Sequence, residues 1–156
     1  MEQVPAALTA RLVDQLYHEA MDLAEETRSY FDSMGQEERR LLAPMARVVF
    51  SCESLKITTR LMHAISWLLV QKAVAAGEMT PEDANRSDRR LGLANSGVPI
   101  GQDERLAMLP EAARALVARS EDLFERACRL EQQVGQPEAD VDSPARALIS
   151  RLEAAF

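Results

Sequence analysis

With 25 acidic against 18 basic side chains in 156 residues, the chain carries a net charge of −7. That balance excludes a general grip on nucleic acid or on an anionic membrane, because both need a positive field. The length fits one domain able to bury a core without covalent staples, and the longest apolar run, residues 61–70, is half of the roughly 20 residues a membrane span needs. The N-terminus MEQVPAALTARL has neither the basic start nor the apolar stretch of a leader. Cys52 and Cys128 fall on apolar faces of predicted helices, where buried free thiols are expected, so a reducing cytoplasm is the expected setting.

Every long segment has helical period and none alternates as a strand does, which predicts an all-α protein. The first helix is expected over about residues 8–33. Leu12, Val13, Leu16, Ala20, Leu23, Ala24, Thr27, Tyr30 and Phe31 lie on one side, and Gly35 serves as its terminator. On the opposite side Asp14 and Asp22 flank His18 at helical spacing, which we read as a solvated acidic face, since one helix face offers no closed ligand shell. A short charged piece, QEERRLLAP, leads through Pro44 into a long helix that should stop at Gly77. Thr80-Pro81-Glu82-Asp83 reads as a fresh start, with threonine as N-cap, proline in the first turn and acids behind it. The glycine-rich stretch 92–101 is a loop and a candidate mobile one. A third long helix follows to Val134, burying Ala113, Leu116, Val117, Ser120, Leu123, Phe124, Ala127 and Leu130. The expected architecture is an antiparallel three-helix bundle over residues 1–135 with short accessory helices. Residues 136–156 form an acidic linker and an amphipathic tail bearing Leu148, Ile149, Leu152 and Phe156.

The long helix is apolar on more than one side. Val48, Cys52, Leu55, Thr59, Met62, Ser66, Leu69 and Ala73 fall on one face, and Phe50, Ile57, Leu61, Ile65 and Leu68 on a second. A single surface helix hides one stripe, so this breadth points to packing against a second protomer or partner as well as within the bundle. We read the second face as a homodimer seam, the alternative being burial by the first and third helices. Glu53, Lys56, Arg60, His63, Trp67 and Gln71 make up a narrow polar remainder. Trp67, the only tryptophan, has two readings there. Either it is an exposed partner anchor beside Lys56, Arg60 and His63, since tryptophan and arginine are enriched at interface hot spots, or the segment 80–90 folds back over it. His63 sits at the edge of the stripe, where a partly buried histidine with one satisfied nitrogen is the ordinary outcome.

The sequence has no phosphate loop, no dinucleotide fingerprint, no nucleophile elbow and no H-E-x-x-H helix. Nor has it any E-x-x-H pair, which disposes of a di-metal carboxylate bundle. We assign no catalytic, cofactor-binding or metal-binding residue.

The motif S-x-x-x-T-T-R-L-M followed by S-W-L-L-V-Q at residues 54–71, together with LYHEAMDLAEETRSYFD at 16–32, resembles the RcdA family, the regulator-of-CtrA-degradation adaptors. The resemblance implies a non-enzymatic, dimerising three-helix bundle. Such a bundle helps deliver cell-cycle regulatory proteins as cargo to the protease ClpXP, together with a response-regulator-like primer. It supplies no catalytic residue. The docking residues Lys56, Arg60, His63 and Trp67, and the tail positions Leu148, Leu152 and Phe156, rest on the residue pattern alone. Two other classes stay open: a constitutive dimeric scaffold, and a bundle that binds a small ligand or metal beside His18 or His63.

Overall fold

The computed structural model describes residues 6–86, 89–91, 102–135, 151–152 and 154–155, and these are helical without a strand. Helix α1 (Ala6–Asp32) is followed by α2 (Met34–Arg40), α3 (Pro44–Ala75), α4 (Pro81–Ala84), α5 (Gln102–Leu106) and α6 (Glu111–Gly135). The three long helices carry no interior glycine or proline. Their apolar residues recur every three or four positions, so each folds as one uninterrupted rod. Two accessory boundaries match local chemistry. Gly77 adopts φ +74°, the left-handed conformation that ends α3, and the Thr80 hydroxyl accepts a hydrogen bond from the Asp83 amide at 3.2 Å.

Gly35 has a different role from the terminator expected. It is buried inside α2, and a Cβ there would lie 2.8 Å from the Tyr30 carbonyl oxygen. Its lack of a side chain lets α2 fold tightly back on the end of α1, a packing further fixed by a hydrogen bond donated by the Tyr30 hydroxyl to Glu38. Burial, reinforced by that carboxylate, pushes the Tyr30 phenol well above its ordinary range.

Helix directions follow from contacts along the bundle. Asp14 pairs with Lys72, and the rings of Tyr30 and Phe31 pack tilted and edge-on against Phe50, so α1 and α3 are antiparallel. Glu19 pairs with Arg126 and Glu26 with Arg119, so α1 and α6 are antiparallel too. Helices α3 and α6 therefore run parallel, with Arg60 level with Ser120 and Glu121. Between α4 and α6 the Leu91 amide donates to the Glu131 carboxylate at 2.8 Å. The core lies where the long helices meet, and includes Val13, Leu16, Ala20 and Leu23 of α1, Ile57, Leu61 and Leu68 of α3, and Val117, Leu123 and Ala127 of α6. Full burial of each large aliphatic stabilises by about 1.5–3 kcal/mol.

Candidate protein interface

Helix α3 is turned otherwise than the sequence reading expects. Its buried residues are Ala46, Val49, Phe50, Glu53, Ile57, Leu61, Ala64, Trp67, Leu68 and Gln71. This arc joins the second apolar face to half of the stripe read as polar, namely Glu53, Trp67 and Gln71. The expected dimer seam is thereby corrected: Phe50, Ile57, Leu61 and Leu68 are at most 4% exposed within a single chain, and Ile65 packs half-buried against the same core. A side chain enclosed by its own helices has no surface left for a second copy.

The polar stripe is corrected with it. Trp67 is 4% exposed and belongs to the core. Arg60 is directed into the α3–α6 contact, donating to the Ser120 hydroxyl at 3.2 Å and pairing with Glu121 at 3.3 Å. Lys56 pairs at 3.1 Å with buried Glu53, whose second carboxylate oxygen has no partner among the described residues. These two cations compensate buried polar groups within the bundle and so hold α3 in this rotation. His63 alone of the four is exposed, more so than its edge position suggested. Leu152 is also exposed, while Leu148 and Phe156 lie outside the described residues, as do the linker and the glycine-rich loop.

What α3 presents outward is the first apolar face. Met45, Val48, Leu55, Met62 and Leu69 are between 47% and 68% exposed, and Cys52, expected to be buried, lies exposed among them as a free thiol. With Thr59 and Ser66, also exposed, these positions step by alternating intervals of three and four from 45 to 69. That is the spacing of a coiled-coil seam, which keeps one face toward a partner helix over many turns. Beside the stripe, a groove of about 350 Å³ opens between α1 and α3, lined by Ala24, Thr27, Phe31, Leu61, Met62 and Ile65 among others. Met62 belongs to both, so the groove widens the apolar surface toward α1.

Titratable groups outside this surface are structural. A hydrogen bond from Arg126 holds the Glu19 carboxyl below its usual range, and one from Arg119 does the same for Glu26. Burial, then Glu131 and Glu125, pushes the Cys128 thiol up, away from the nucleophilic thiolate. His18 lies 3.5 Å from Asp14 on an exposed face. No cluster of three metal-ligating side chains exists among the described residues, and none of their helices is long and apolar enough to cross a membrane.

A family model described as "Protein of unknown function (DUF1465)" matches residues 5–156. A solved structure, RcdA from Caulobacter crescentus CB15, is similar at 36% sequence identity, with a TM-score of 0.62, over 79% of this chain and 90% of that one. The chain belongs to the DUF1465 family and is an RcdA-family protein. Among curated proteins none matches it. The RcdA-family resemblance read at residues 16–32 and 54–71 is thus confirmed.

Proposed function

We propose that this chain is a non-enzymatic adaptor of regulated proteolysis, acting in the cytoplasm through protein contacts. It helps deliver cell-cycle regulatory proteins to the ClpXP protease together with a response-regulator-like primer. Support comes from its RcdA-family membership and from one structural observation, the exposed three-four apolar stripe on α3. Monomeric soluble proteins rarely leave a contiguous apolar surface of this kind uncovered, and those that do use it for association. In this reading the homodimer forms through Val48, Leu55, Met62 and Leu69 rather than through the core side of the helix. The exposed tail position Leu152, with Leu148 and Phe156, supplies a separate amphipathic contact to a partner groove.

Degradation of cargo by reconstituted ClpXP and primer, with and without this protein, tests the adaptor reading. Acceleration of cargo turnover is the expected result. A tight complex with no effect on any cargo's lifetime would instead establish the constitutive scaffold, which the same stripe also fits.

A further inference from the structure

The corner between α2 and α3 presents an apolar side chain that the bundle does not use. Leu41 is 88% exposed, and Met45, four residues on, is 66% exposed. The corner is held in shape by several bonds. The Leu41 amide donates to Glu38 and the Leu42 amide to Arg39, while the Arg47 side chain reaches back to the carbonyl oxygens of Leu42 at 3.0 Å and Arg40 at 3.2 Å. Gly35 and the Tyr30–Glu38 bond seat the rest of α2 on α1. Leu41 is therefore carried on an ordered turn, so little backbone entropy remains to be lost if it docks.

The charge around it departs from that of the molecule, with Arg39, Arg40 and Arg47 set against Glu37 and Glu38. In a chain of net charge −7, three arginines lie within nine positions of the corner. Only Arg40 has a carboxylate partner among the described residues, the exposed Glu37 at 3.4 Å. The Arg47 guanidinium sits over the turn on carbonyl oxygens, so its charge is not neutralised there. Arg39 is exposed.

We propose that this corner, centred on Leu41 and adjoining the α3 seam at Met45, is a second docking surface of the adaptor, whose occupant is a partner protein with an apolar hollow rimmed by carboxylates. Leu41 projects from the surface, so its complement is concave. Arg39 and Arg47 have no carboxylate partner among the described residues, so the complement is acidic. A second copy fits less well at this point, because an identical corner would bring arginines against arginines. This inference rests on the adaptor reading and names the chemistry of one of its partners.

Leu41→Asp and Arg39→Glu, assayed in the reconstituted degradation reaction, test it. Leu41→Asp should raise the half-saturating adaptor concentration about thirtyfold, the size of an interface hot spot, while Leu41→Met restores it. Arg39→Glu should raise it too and weaken its dependence on salt. The melting temperature and the assembly mass should stay at the unmutated values, since neither side chain is packed. An unchanged half-saturating concentration overturns the corner and leaves the adaptor reading standing. A changed assembly mass overturns it by making the corner a contact between copies. Leu41-dependent binding to phosphatidylglycerol vesicles overturns it in favour of a lipid surface. If the unmutated protein fails to accelerate turnover, the adaptor reading falls and this inference with it.

Discussion

At the scale of single residues, side chains that the sequence offers for recognition turn out to organise the interior. Truncating Trp67 removes a packed indole, so Trp67→Ala should cost about 3–5 kcal/mol of stability in a denaturant titration, where an exposed anchor would leave the fold nearly unchanged. The ion pairs between α1 and α6 predict an acid dependence of definite sign. Glu19 and Glu26 have folded pKa values below their ordinary 4.5, chiefly through hydrogen bonds from Arg126 and Arg119. Their contribution is therefore present above about pH 4.5 and lost as pH falls through the lowered values. A Glu19→Gln, Glu26→Gln double variant should melt closer to the unmutated protein at pH 3 than at pH 7. The difference will be small, because both pairs are largely exposed and screened.

At the scale of elements, the informative case is α3. Its existence, its start at Pro44 and its end at Gly77 were all legible, because length, proline and glycine act locally. Its rotation was not. Apolar residues surround the whole helix, so hydrophobicity has no preferred side, and the choice falls to shape and polar pairing. Ala46 and Ala64 allow close approach, and Arg60 finds Ser120 and Glu121 sixty residues away. No local pattern reports a partner at that separation. The face from Val48 to Leu69, with Cys52, Thr59 and Ser66 interspersed, was legible as one of two apolar faces, but not as the outer one. Small and polar residues suit a seam between chains better than a core. The two faces now give opposite expectations. Leu55→Glu with Met62→Glu should yield a folded monomer by light scattering, whereas Leu61→Glu should unfold the chain, because it buries an unpaired carboxylate. A Leu55→Glu, Met62→Glu protein that keeps a dimer's mass would remove the stripe from the assembly.

At the scale of the whole molecule, the all-α class, the three long helices and the family were all readable, the last from residues 16–32 and 54–71. The parallel course of α3 and α6 was not, since a return segment leaves no periodic mark on the sequence. The tail brings a separate expectation: removing residues 136–156 should leave the melting temperature unchanged while abolishing stimulation of cargo degradation. A drop of several degrees would mean that the tail packs on the bundle.

The parallel course of α3 and α6 also bears on how the chain reaches its native state. Helices α1 and α3 are joined through α2 by a short connection, so their pairing closes a small loop and is entropically cheap. Helix α6 touches α1 through residues as far apart in sequence as Glu19 and Arg126. Contacts of such separation form late. Until they do, the side of α3 that bears Arg60 and faces α6 is open to solvent along with the outer stripe. A newly made chain therefore passes through a two-helix stage with both of these sides exposed, and its yield should depend on keeping such stages apart until α6 arrives.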